Sequence, residues 1–207
     1  LNFSVGITVY REYGLLVNCL EAVHKSYQKP YRIYILDNGR QFQDDQDDQD
    51  ADDRDGYFVI TPPNNIGVAS AWNILLSLIH PLTAIILNDD CIVKPDTFGK
   101  LMSAPPGIAI ALGHACFRQD HIATSVIGPY DENYWPAYYE DADYRMRAKE
   151  KLVQWTDLGN IVEGHGHNKA APYQFMDVDE LAYFKACVES NKQRFIKKWG
   201  GLPSKFF

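Results

Sequence analysis

Two short acidic strings in this 207-residue chain have the composition for metal and proton chemistry. The first, Asn88-Asp89-Asp90, follows the apolar run Ile85-Ile86-Leu87. A strand that delivers adjacent carboxylates to a sheet edge offers hard oxygen donors, which together with phosphate oxygens suit Mg2+ or Mn2+. The plain alternative is a polar turn leading to Lys94-Pro95-Asp96, with Asp96 capping the next helix. The second string, Glu140-Asp141-Ala142-Asp143, follows an aromatic stretch containing Tyr130, Tyr134, Trp135, Tyr138 and Tyr139. Acids in a first helical turn favour the positive end of the helix dipole, and Asp141 and Arg145 form an i, i+4 pair. The chemical alternative is a carboxylate that takes the proton of a hydroxyl nucleophile, worth about 10²–10⁴ in rate.

Three further groups have the same double character. Gly164-His165-Gly166-His167 follows a predicted strand at 159–163, and alternate residues of an extended segment face the same way. An imidazole beside carboxylates favours Mn2+ over Mg2+, whereas a hydrogen-bonding histidine is the structural alternative. Asp37-Asn38-Gly39 ends a strand, where an Asp can hold a ribose or a base, and is also ordinary turn chemistry. Asn65-Ile66-Gly67 opens a helix, and a helix N-terminus beside a glycine suits a diphosphate, or Asn65 is simply an N-cap.

The elements that must position these groups are legible from periodicity. Apolar runs at 3–10, 32–36, 57–61, 84–87 and 108–112 predict strands. Leu15, Leu16, Cys19, Leu20 and Val23 share one helical face. Val68, Ala71, Trp72, Leu75, Leu76 and Ile79 recur with a 3.6-residue period. The first hundred residues therefore read β-α-β-loop-β-α-β, an open, mostly parallel sheet flanked by helices, an α/β fold that binds ligands beyond the carboxyl ends of its strands. Farther on, 122–127 is predicted as a strand, 140–151 as a helix and 177–199 as a long terminal helix stopped at Gly200-Gly201. No internal repeat or Ser/Gly linker divides the chain, so one domain is expected, with a nucleotide-binding half at 1–95, a catalytic and acceptor half at 96–176 and a terminal helix at 177–207.

Composition narrows the classes. The net charge is -7, and residues 41–56 hold eight Asp and one Arg, so that stretch alone accounts for it. The remaining 19 basic and 19 acidic residues leave a neutral body, which argues against nucleic-acid binding. The acidic stretch is expected to be a solvated surface loop. It is not an EF-hand, because aligning Gly56 with that loop's glycine puts Ala51 and Pro62 at ligand positions. Cys19, Cys91, Cys116 and Cys187 form no CxxC pair and are expected to be reduced. No apolar run is long enough to span a bilayer, and the expected location is cytoplasmic, peripheral to a membrane at most.

In order along the chain, SVGITVYRE, CLEAV, IYILDNG, NNIGVASAWN, IILNDDCIVKP, IGPYDENYWPAYYEDADYRMR and VEGHGH resemble the inverting glycosyltransferases of family 2, which have the GT-A fold. The resemblance runs from Phe3 to His167, and RFIKKWGG is similar to the end of such domains. NIGVASAWN is similar to rhamnosyl and related polysaccharide-assembly transferases.

The resemblance implies a reaction and a set of roles. A sugar would pass from a nucleoside diphosphate, UDP or dTDP first, to a hydroxyl of a carbohydrate or glycoconjugate acceptor, with inversion and with Mn2+ or Mg2+. Thr8 and Tyr10 would line the nucleotide pocket, Asp37 would hold the base, and Asn65, Gly67 and Asn73 would border the ribose and diphosphate. Asn88-Asp89-Asp90 stands in place of the family's DxD motif, departing from it at Asn88. Asp90 would be the principal metal ligand, with Asn88 and Asp89 on the donor and His165 completing the metal site in competition with His167. Asp141 would be the catalytic base, with Trp135, Glu140 and Asp143 on the acceptor side. Two other classes stay open. A nucleotidyltransferase would need a Gly-rich basic loop after the first strand, where TVYREYG fits poorly; a non-catalytic nucleotide-sugar-binding domain would explain Asn88.

Overall fold

A computed structural model describes residues 2–11, 13–40, 56–163 and 176–207. Strands β1 (Phe3–Val9), β2 (Ile33–Asp37), β3 (Tyr57–Ile60) and β4 (Thr83–Asn88) run parallel, joined by helices α1 (Tyr13–Lys25) and α2 (Gly67–Ile79) where a helix is predicted. Strands β6 (Ile108–Ala111), β7 (Cys116–Gln119) and β8 (Trp155–Asp157) complete a seven-stranded sheet of order β3-β2-β1-β4-β7-β6-β8. Only β7 opposes its neighbours β4 and β6, and β8 is parallel to β6. Short strands β5 (Ile92–Val93) and β9 (Val162–Glu163) pair antiparallel as a separate ribbon.

Side-chain alternation along the strands divides the core between the two faces of the sheet. Val5, Ile7, Val9, Ile35, Ile85 and Leu87 pack with Leu16, Cys19 and Val23 of α1 and with Phe98 and Leu101 of α3 (Thr97–Ser103). Leu36, Ile86, Ile110 and Phe117 pack with Trp72, Leu75 and Ile79 of α2 and with Tyr144 of α5 (Glu140–Glu150). Gly6 permits the close approach of α2: a Cβ there would lie 2.8 Å from Ile86 Cδ1 and 3.1 Å from Leu75 Cδ1. A third cluster joins Tyr134, Met146 and Phe195, seating α6 (Val178–Trp199) against α5 and the loop before it.

Two local expectations are corrected, and one strand, β7, has no counterpart in the sequence reading. Residues 122–127 belong to helix α4 (His121–Ile127), not to a strand, because Asp120 accepts from the Ala123 amide as an N-cap and Ala123 and Ile127 supply its buried face. The strand expected at 159–163 is only Val162–Glu163, since Gly159 turns with φ +64° and the sheet is extended instead by Trp155–Asp157. Strand β7 carries no apolar signature at Arg118 and Gln119, yet both are buried; Arg118 donates to the carbonyls of Ala104, Pro105 and Gly107. The terminal helix begins as expected, with Asp177 and Glu180 forming a reciprocal capping box, and ends at Gly200 in the left-handed conformation. Among the described residues no helix is long and apolar enough to cross a membrane. The acidic stretch, apart from Gly56, lies outside the described residues.

Candidate active site

Register brings the first set of groups to one level. Thr8 pairs with Leu36 on one side and with Asn88 on the other, and Val9 pairs with Asp37, so three strand ends open on the same edge. The Tyr10 amide donates to Asp89 Oδ2 at 3.3 Å, closing the gap between the ends of β1 and β4. The backbone of Asn88 is fixed independently: its amide donates to Ala115 O at 2.9 Å, and its carbonyl accepts from the Cys91 amide at 3.1 Å. Asp90 is buried and Asp89 half-buried. Burial first, and then the neighbouring charge of Asp90, hold the Asp89 carboxyl up at about 7. Two adjacent, desolvated, mutually repelling carboxylates form an oxygen donor set that a divalent cation would relieve, so these residues fit Mg2+ or Mn2+. Among the described residues no group of three or more His, Cys, Asp or Glu gathers as a metal cluster. His165 and its competitor His167 lie outside the described residues.

Asp37 is fully buried and its Oδ1 accepts from the Gly39 amide at 3.1 Å, an Asx-type turn that fixes the end of β2. Asn38 is a site residue that sequence reasoning passed over as part of that turn. Its side chain accepts from the Ile66 amide at 3.2 Å and donates to Gly67 O at 3.3 Å, pinning β2 to the start of α2. Asn65 accepts from the Gly67 amide at 2.9 Å, and Val68 N donates to Pro136 O at 2.8 Å. Three successive amides at the start of α2 are thus spent on protein acceptors. What α2 offers a phosphate is the positive end of its field.

Gly67 has φ +79°, and a Cβ there would meet Trp135 Cδ1 at 2.8 Å, so the indole lies directly on the start of α2. Trp135 Nε1 also donates to Asn65 O at 3.2 Å. Asn73 exchanges two hydrogen bonds with the backbone of Tyr130 and donates to Glu132 at 2.8 Å, which anchors the aromatic loop to α2. The loop ends in Tyr138 and Tyr139 with φ of 71° and 76°, left-handed conformations that cost bulky residues roughly 1–2 kcal/mol each. Asn191 of α6 holds that turn. It is buried, and its amide donates to the carbonyls of Trp135 and Ala137 at 3.1 and 3.0 Å and, at the limit of range, to Tyr138 O at 3.5 Å. No motif marks Asn191, which sits in the middle of a polar stretch of a long helix.

Helix α5 starts immediately after this turn. Glu140 is buried, and its Oε2 meets no hydrogen-bond partner among the described residues. Burial and the adjacent Asp141 raise its carboxyl well above the usual range. Burial also raises Asp141, opposed by the Ala142 amide bonded at 2.7 Å and by Arg145. Burial thus raises both adjacent acids, and of the two only Asp141 has a neighbouring cation, Arg145, that favours its charged form. Asp143 serves the scaffold. Fully buried, it accepts from Tyr134, Trp199 and Arg147 and pairs with Lys198.

Comparison with known proteins decides the family. The model described as Glycosyl transferase family 2 matches residues 4–156. The chain belongs to glycosyl transferase family 2. No curated protein sequence matches it. Among solved structures, this family 2 chain is similar to the mannosyltransferase PcManGT from Pyrobaculum calidifontis in complex with GDP-Man and Mn2+, at TM-score 0.58 and 12% identity over 77% of this chain and 55% of that one. It is also similar to S. aureus TarS in complex with UDP-GlcNAc, at 0.59 and 11% over 76% and 56%. The catalytic domain of Drosophila beta1,4galactosyltransferase 7 in complex with xylobiose gives 0.52 and 13% over 75% and 64%. At these identities the likeness is one of fold, that of the GT-A glycosyltransferases, and the chain spans little more than half the length of the first two. Helix α6 lies beyond the segment matched by the family model.

Proposed function

We propose that the chain transfers a sugar, with inversion, from a nucleoside-diphosphate sugar to a hydroxyl of a carbohydrate or glycoconjugate. The observation that carries this reading is the convergence, on a family 2 scaffold, of Asp89-Asp90 at the end of β4 with Tyr10 at the end of β1. The Glu140-Asp141 pair at the start of α5 supplies the second half of the chemistry. Asp89 and Asp90, with His165, are the residues to hold a divalent cation. A cation held there would supply positive charge to the leaving diphosphate. Thr8, Tyr10 and Asp37 border the base and ribose, and the field of α2 adds positive potential at the diphosphate.

Asp141 accepts the proton of the acceptor hydroxyl as that oxygen bonds to the anomeric carbon. The bond from that carbon to the diphosphate oxygen breaks on the opposite face, which gives inversion in one displacement through an oxocarbenium-like transition state. Burial raises Glu140 well above the usual carboxylate range, while the Ala142 amide and Arg145 favour the charged form of Asp141, the member of the pair assigned here as base.

A panel of UDP-, dTDP- and GDP-sugars tests the reading, first by thermal shift with and without Mn2+, since a ligand that binds only the folded state raises its melting temperature. Product NMR then reads the anomeric centre. An inverted product supports the proposal. Binding without any turnover supports a nucleotide-sugar-binding module instead, and a retained configuration removes the single displacement.

A further inference from the structure

Helix α6 turns one side toward the candidate site, and each residue on that side meets a different part of it. Glu180 receives both terminal guanidinium nitrogens of Arg11 at 3.1 Å, tying the first turn of α6 to the end of β1. Tyr183 lies 5.9 Å from Trp135, ring centre to ring centre, with the planes inclined at 55°. Phe184 meets the edge of Tyr138, and Asn191 holds the carbonyls of the turn carrying both aromatic residues. Positions 180, 183, 184 and 191 follow the i, i+3, i+4, i+11 repeat of one helical face.

Three of these rings remain open, Tyr138 at 42% and the two that face each other. Trp135 is 36% exposed and Tyr183 63% exposed, although Trp135 is immobilised from three directions by Asn65, Gly67 and Asn191. The rigid indole and inclined phenol form an open apolar notch one helical turn from the Arg11–Glu180 ion pair, with Trp135 in the loop that leads directly into Glu140 and Asp141. An apolar floor with a phenol hydroxyl and a nearby ion pair suits a ligand that is itself two-faced, with a C–H face to stack and hydroxyls at its edge.

We propose that Trp135 and Tyr183 form the subsite for a pyranose ring of the acceptor, and that α6, which lies outside the family-matched segment, supplies its specificity. The assignment of that ring as acceptor rests on the glycosyl-transfer reading above.

Saturation-transfer NMR tests the proposal, using millimolar methyl glycosides of glucose, galactose, mannose, rhamnose, xylose and N-acetylglucosamine as probes, with and without UDP and Mn2+. At least one pyranoside should receive saturation through its axial C–H protons. Tyr183→Ala and Trp135→Ala should bind it about tenfold more weakly, and Tyr183→Phe should bind it as the parent does, since stacking needs the ring and not the hydroxyl. Tyr183 is largely exposed, so its variants report on the subsite even where Trp135→Ala disturbs the loop.

No saturation of any pyranoside in either condition overturns the proposal, as does equal saturation in the parent and Tyr183→Ala. Asp90→Ala should keep the pyranoside signal while losing Mn2+-dependent UDP binding. Pyranoside binding through both rings without turnover of any nucleotide sugar overturns the transfer reading and leaves the ring-binding notch standing. Transfer that is indifferent to Tyr183→Ala overturns the subsite and leaves the transfer reading standing.

Discussion

Trp199 Nε1 donates to Asp143 Oδ1 at 2.9 Å, a bond between the last turn of α6 and the helix that begins with Glu140 and Asp141. The same carboxylate accepts from Tyr134 OH at 3.3 Å and Arg147 Nε at 2.9 Å and pairs with Lys198 Nζ at 2.6 Å. Asp143→Asn keeps the shape and removes the charge, leaving two cations facing a neutral amide. Breaking a buried pair costs several kcal/mol, and the partial exposure of Lys198 reduces that to about 2–3 kcal/mol. Urea denaturation should show that loss, with α6 becoming the first segment cut by protease. An unchanged midpoint would remove Asp143 from its scaffold role.

Asp141→Asn keeps the side-chain volume and removes the base. Transfer should fall by about 10²–10⁴ while UDP binding and the melting temperature stay near those of the parent. Steady-state rates beside calorimetric UDP titration separate the two quantities. Turnover within a few-fold of the parent would move the base elsewhere, with Glu140 the first residue to test.

Asp90→Ala addresses the other end of the reaction. It removes one of the two carboxylates at the end of β4, so the gain in UDP affinity on adding Mn2+ should largely disappear. Calorimetry with and without Mn2+ reads this directly, and an undiminished Mn2+ effect would place the metal away from β4. The fold should survive, because Asn88 and Cys91 carry the backbone bonds of that turn themselves.

The contrast between α2 and β7 shows what the sequence could disclose. Val68, Ala71, Trp72, Leu75, Leu76 and Ile79 repeat with the helical period, so the helix and its buried face are local properties of the chain. Strand β7 is buried because Arg118 finds three carbonyls from the preceding segment and Gln119 finds Tyr144, partners that exist only after folding. The strand predicted at 122–127 fails for a related reason. The β-branched content of these residues suits a strand, and the Asp120 cap decides for a helix. In the site, the Asp89-Asp90 and Glu140-Asp141 strings stand out as motifs, whereas Asn38 and Asn191 act through hydrogen bonds spanning 28 residues or more and leave no local pattern.

His114 should govern part of the acid sensitivity. Its ring is packed among Trp72, Phe117 and Trp155, and its Nε2 lies 2.8 Å from Tyr130 OH. Tyr130 in turn donates to Gln119 Oε1, whose amide nitrogen serves Thr124 and Tyr144, so the chain of donors requires a proton on His114 Nε2. Burial first, and then the charge of Arg145, lower its pKa to about 3, so the imidazole is neutral in the folded chain. The unfolded chain takes up a proton near pH 6.5 that the folded one refuses until about 3. The contribution of His114 to stability is therefore complete above pH 6.5 and declines as pH falls through that window, by about 1.4 kcal/mol per pH unit. Unfolding free energies measured across the window should slope more steeply in the parent than in His114→Gln, by about one proton. Equal slopes would mean that His114 already titrates normally in the folded state.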